Sequence, residues 1–162
     1  MDYVLDKNIW THADYDIMGW HDATIYGMIF ENNGESTSNL VFDIDYIFQW
    51  VNPVQPDNHY TFQVAPCTLV FKNVIHLRME IDTDLILPLS FEIADLLLVS
   101  KEQIDANSYV YEWDMMLQEG FIRFKSEGFR QYVRTNPVHI ASQSLEMSQR
   151  GGICFDKQAF IE

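Results

Sequence analysis

Residues 40–50 constrain the fold more than any other stretch, because Leu40, Phe42, Ile44, Tyr46, Phe48 and Trp50 recur at every second position. An extended strand puts all six on one face, whereas a helix would scatter them around its circumference. Val41, Asp43, Asp45, Ile47 and Gln49 take the opposite face. The segment therefore predicts a half-buried antiparallel strand. Asn52-Pro53 through Asp57-Asn58 closes it with a loop.

Shorter runs repeat the pattern. Thr24 to Phe30 reads as a strand in which Gly27 marks a bulge or a close backbone approach. Asn32-Asn33-Gly34-Glu35-Ser36 follows as a turn. Tyr60 to Val64 and Thr68 to Ile75 predict further strands, with Pro66 at a strand start or edge. Leu77, Met79 and Ile81 alternate with Arg78, Glu80 and Asp82 as another half-buried strand, and Leu89, Phe91 and Ile93 continue the theme. The first nineteen residues read as a short helix or irregular lead-in, and Lys101 to Asn107 as a connection or one helical turn.

In the last third, Gln118-Glu119-Gly120-Phe121 and Ser126-Glu127-Gly128-Phe129 are turn signals of one shape. Even-length loops at both predict a three-strand meander. Tyr111, Trp113, Met115 and Leu117 then share a face with Ile122, Phe124 and Val133, and Glu112, Asp114, Arg123, Lys125, Arg130 and Arg134 share the other. An odd loop would bury Arg123 among aromatics, which the cost of an unpaired buried charge opposes. Ser144 to Arg150 reads as a short helix, and Gly151 to Phe155 as a turn and a last strand.

Roughly eight to ten short strands with one or two short helices predict a mainly β fold, an antiparallel sandwich or partly closed barrel. No internal repeat or linker divides the 162 residues, so a single domain over 1–162 is expected. With 48% apolar and 14% aromatic residues, the chain holds ample material for a core. Cys67 and Cys154 have no metal-ligand spacing and read as reduced thiols. The opening MDYVLDKNIW lacks the basic and apolar regions of a secretory signal, and the apolar run Leu85 to Val99 is broken by Pro88, Glu92 and Asp95. A cytoplasmic location is the expectation.

Net charge is −14, and it is uneven: residues 1–70 hold ten carboxylates and one cation, Lys7, whereas residues 121–162 hold six cations and four carboxylates. Such a field repels nucleic acid and anionic membrane and attracts basic partners. No dinucleotide fingerprint, P-loop, nucleophile elbow, zinc-protease or EF-hand motif occurs, and no motif calls for a cofactor.

Two constellations carry chemistry. The first is Trp20-His21-Asp22 with Asp43 and Asp45, the last two roughly 6.6 Å apart on one strand face. If the strands pair through the Asn32–Ser38 turn, Asp45 comes near residues 23–26. One imidazole with two or three carboxylates suits a hard divalent cation, or lets His21 act as a base oriented by Asp22. The structural alternative has Asp22 closing a turn, His21 satisfied locally and the strand aspartates solvated. The second constellation is the face Arg123, Lys125, Arg130 and Arg134. It reads as an anion site with Tyr132 for stacking, or as partners for Glu112, Asp114 and other carboxylates. His12, His59, His76 and His139 are isolated in sequence.

Trp20 to Gly27, then Leu40 to Ile47, then Val64 to Val74 resemble a family of small uncharacterised bacterial proteins, chiefly through the W-H-D start and the D-I-D-Y-I segment. The resemblance covers about the first half of the chain and implies a bacterial origin without implying a mechanism. At fold level the H-D-A strand of a short acidic protein is also similar to immunity proteins of toxin systems. Charge and motifs together favour a non-enzymatic acidic module for a basic protein partner. The competing classes are a metal-dependent enzyme using His21, Asp22, Asp43 and Asp45, and a small-ligand binder with its pocket at a barrel mouth.

Overall fold

The computed structural model describes residues 3–34, 36–83 and 91–161. Among them ten antiparallel strands form one sheet. The strands are β1 (Ile9–Thr11), β2 (Ala23–Asn32), β3 (Ser38–Val51), β4 (Thr61–Phe71) and β5 (Ile75–Ile81). They continue as β6 (Phe91–Gln103), β7 (Tyr109–Leu117), β8 (Gly120–Ser126), β9 (Phe129–Val133) and β10 (Val138–Ile140). A 3₁₀ turn over His12–Ile17 and a four-residue helix α1 (Met147–Arg150) complete the elements. The order across the sheet is β1-β9-β4-β3-β2-β6-β7-β8-β5, with β10 beside β4. Among the described residues its two end strands do not pair, so the sheet is not closed into a barrel.

β2 meets β6 through only three described residue pairs, from Ala23↔Ile93 to Ile25↔Phe91. Here the sheet doubles over, and the inner face of β3, β4 and β9 packs on that of β6, β7 and β8. Phe71 of β4 lies 4.7 Å from Phe124 and 5.7 Å from Trp113, ring centre to ring centre, and Phe129 of β9 lies 5.6 Å from Trp113. Trp113 is fully buried and donates its indole N–H to Ser126 Oγ at 2.9 Å. Emptying such a position costs about 3–5 kcal/mol.

The 40–50 alternation forms a strand, with Leu40, Phe42, Ile44 and Tyr46 inward as expected. Burial on the second face differs from expectation. Val41, Asp43 and Asp45 are as inaccessible as the inner residues, because the segment after β10 lies across them. Trp50 also departs from the inner face. A bulge in the pairing with β4 between Ile47 and Gln49 shifts the two-residue parity, so Trp50 turns outward onto Phe62 at 5.0 Å.

Gly27 marks a bulge, one of the two alternatives expected of it, and side chains rather than backbone lie against it. The β2–β3 register shifts between Ile25 and Gly27, and a Cβ there would stand 2.8 Å from the Phe155 ring. Pro66 sits inside one long strand rather than at a strand start. Its carbonyl accepts from Arg134 N, so its missing N–H faces the gap between β10, paired as far as Val64, and β9, paired from Cys67. The half-buried strand expected at Leu77–Ile81 is instead exposed along its whole length as β5, paired with β8 alone among the described residues. Leu89 lies outside the described residues.

The meander is half right. β7 and β8 form a hairpin closed by Gln118-Glu119, with Leu117 opposite Gly120. The turn at Ser126–Gly128 instead carries the chain across the fold, where Lys72 backbone groups bond to Glu127 and Gly128, and β9 pairs with β4. Lys101 belongs to β6, since Lys101 to Gln103 pair with Tyr111 to Tyr109 and Lys101 Nζ covers the Tyr109 ring. Gly151 to Phe155 makes a turn but no strand, because its polar groups are engaged by side chains beneath it.

Candidate functional site

Of the acids picked out in sequence, Asp43 and Asp45 share one buried cluster, and both of them and Asp22 bond to the segment after β10. Asp43 and Asp45 project from the outer face of β3 and are fully buried, which corrects the expectation of solvated strand aspartates. Arg150 explains how. It ends α1, where Gly151 in the left-handed conformation stops the helix and turns the chain back, and its side chain is enclosed between the two carboxylates. Its Nη1 and Nη2 donate to the two oxygens of Asp43 at 2.9 and 2.7 Å, a forked pair, and its Nε donates to Asp45 Oδ1 at 3.2 Å. The guanidinium lies 3.7 Å from the centre of the Tyr26 ring, which the β2 bulge aims at it.

Arg134 reaches the same cluster. Its Nη2 donates to Asp43 Oδ1 at 2.6 Å, and its Nη1 to Thr68 Oγ1 at 2.8 Å and to the Cys154 carbonyl at 3.0 Å. Backbone N–H groups of Leu145 and Cys154 complete the set, on Asp45 Oδ2 at 2.7 Å and Asp43 Oδ2 at 3.0 Å. Every carboxylate oxygen of the pair thus has a donor. Burial alone pushes the Asp45 carboxyl above the ordinary carboxylate range, against the Leu145 N–H and Arg150, which pull it down. Burial would lower the Arg150 guanidinium, but the bond to Asp43 and the charges of both aspartates hold it above its ordinary value.

His21 and Asp22 stand at the entry to β2, beside this clasp. Asp22 has φ 61°, a left-handed conformation that Asp tolerates, and its Oδ2 accepts from Gln143 Nε2 at 2.7 Å. His21 Nδ1 donates to the Ala94 carbonyl at 2.9 Å, and its Nε2 lies 3.5 Å from Asp22 Oδ2. Trp20 belongs to the core, its indole N–H donating to Gln131 Oε1 at 2.9 Å. The His21 ring is exposed and stacks on Trp50 at 6.0 Å, and Trp50 meets Tyr60 at 5.9 Å. Among the described residues, no group of three or more His, Cys, Asp or Glu side chains converges as a metal site does.

The basic face is divided. Arg123 pairs with Asp114 at 2.9 Å across the β7–β8 hairpin, and Lys125 lies 4.0 Å from Glu112 and 3.9 Å from Glu102. Arg130 is on β9, on the other half of the sheet. Arg134, read as part of an outer anion face with Arg123 and Lys125, is instead buried on Asp43, because β9 leaves β8 to pair with β4. Both cysteines are free thiols, and burial raises that of Cys67.

Sequence reasoning missed Arg150, Gln143 and the exposed pair Trp50 and Tyr60. A signal for the first was present. Val41 and Ile47 share the aspartates' face, and an apolar-flanked acid pair asks for a cover that brings positive charge. Elsewhere, an apolar cleft of about 310 Å³ opens between β2 and β5, lined by residues that include Met28, Met79, Ile81 and Phe91. No family model, no curated protein and no solved structure matches this chain.

Proposed function

We propose that this protein is a non-enzymatic acidic interaction module that binds a basic partner protein. The observation that carries the reading is the neutrality of the buried cluster. Two arginines and two aspartates cancel inside the fold, so the whole net charge of −14 lies outside them. Two of the ten Lys and Arg residues are withdrawn from the surface in doing so. A surface of that sign speeds encounter with basic proteins and disfavours nucleic acid. Asp43 and Asp45, the strongest catalytic candidates, serve as anchors for the C-terminal segment.

The cleft between β2 and β5 favours a second reading, as the seat of a small apolar ligand. Among the described residues Tyr26 brings the one polar side chain to its lining, and that hydroxyl already donates to the Leu145 carbonyl. The charge therefore carries the main proposal.

Capture from a cell extract on immobilised protein tests it, at about 50 mM and about 500 mM salt. Basic proteins are expected at low salt and lost at high salt, and the main one, once purified, binds at least tenfold more weakly at the higher salt. Capture that ignores salt, or that recovers acidic proteins, overturns the reading.

A further inference from the structure

We infer that the corner formed by His21, Trp50 and Tyr60 is where an arginine side chain of the basic partner docks, an inference that rests on the acidic-module reading above. The corner is built from rings in contact with one another. Trp50 is 41% exposed and Tyr60 48%, yet Trp50 is backed by the buried Phe62 ring at 5.0 Å and flanked by the His21 ring, inclined 22° to it. Tyr60 meets Trp50 nearly at right angles, so the two rings enclose an angle open to solvent. Rigid, exposed Trp and Tyr side chains lose little entropy on binding, and they are the residue types that dominate interface energetics.

Charge selects the occupant. The Asp22 carboxylate borders the corner 3.5 Å from His21 Nε2, and Gln143 pins it. A guanidinium is planar, stacks on an indole and pairs with a carboxylate, which a compact ammonium does less well. The protein meets the same demand internally, where Arg150 lies over Tyr26 between two aspartates. The bulge after Ile47 is what makes the corner, since without it Trp50 would point into the core.

The probe is a capped peptide of alternating glycine and arginine, titrated into the intact protein at low ionic strength while the Trp50 indole N–H resonance is followed. Peptide is expected to shift that resonance, and Trp50→Ala to weaken binding roughly tenfold, with Trp50→Phe recovering part of it. Tyr60→Ala, with wild-type melting behaviour as the control, repeats the test at a position outside the strands should Trp50→Ala unfold. Peptide binding that leaves Trp50 unmoved and is equal in both alanine variants overturns the corner while the charge reading stands. No binding at any salt overturns both. Self-association that shifts Trp50 with protein concentration alone makes a second copy the occupant and also overturns the proposal.

Discussion

Arg150 has no accessible surface in its side chain, and its removal leaves Asp43 and Asp45 buried with less than the charge they need. Breaking a buried ion pair from one side costs about 3–5 kcal/mol. For a chain of this length Arg150→Met is therefore expected to lower the melting temperature by roughly 10 °C or more. Asp43→Asn is expected to cost a similar amount, and the double variant far less than the sum, since the second change removes the charge that the first one stranded. Asp45→Asn should be milder. Burial already disfavours the Asp45 charge, and an amide oxygen still accepts from Leu145 N–H. Urea unfolding of the four variants measures this directly, and additive losses would mean the cluster is not one coupled unit. At this scale the sequence was only partly legible. Asp22, Asp43 and Asp45 stood out, but their partners Gln143, Arg134 and Arg150 lie far along the chain. For Asp43 and Arg150 the separation is 107 residues, and no local periodicity spans it.

Among the elements, β3 was read correctly because its inner face obeys one period over four large side chains, and it was misread where a bulge broke that period at Trp50. β8 and β9 were wrongly joined because a Ser-Glu-Gly turn looks alike in a hairpin and in a crossover. The pairing of β9 with β4 and the backbone bonds of Lys72 to Glu127 and Gly128 distinguish them, and neither is visible in the local sequence. The segment after β10 carries the clearest prediction at this scale. Gly27 lets it approach β2, with Phe155 and Ile153 resting where a side chain would be. Gly27→Val is expected to lift the segment and expose the Arg150-Gly151 bond to trypsin, with cleavage at least tenfold faster than in the wild type. Mass spectrometry of a timed digest locates the cut. Unchanged cleavage would show that Phe155 yields without loosening the segment.

For the whole molecule, the class of fold was readable from alternation and turn spacing, whereas the strand order was not. β1 with β9 and β2 with β6 are pairings between distant stretches whose local sequences carry no mark of each other. The charge, by contrast, belongs to the molecule as a whole. With a net −14 outside the neutral cluster, like charges repel across the surface, and mobile ions relieve that repulsion. Raising sodium chloride from about 10 to about 200 mM is expected to raise the melting temperature by a few degrees. A fall would mean that surface pairs such as Arg123 with Asp114 outweigh the repulsion.

Synthesis runs from one end to the other, and this gives the Arg150 clasp a meaning in time. Asp45 leaves the ribosome 105 residues ahead of the arginine that neutralises it. Until then β3 cannot be sealed on its outer side, however complete its neighbours are. Emergence of the segment after β10 thus acts as a latch, and a nascent chain interrupted before that point keeps an open, charged seam along β3.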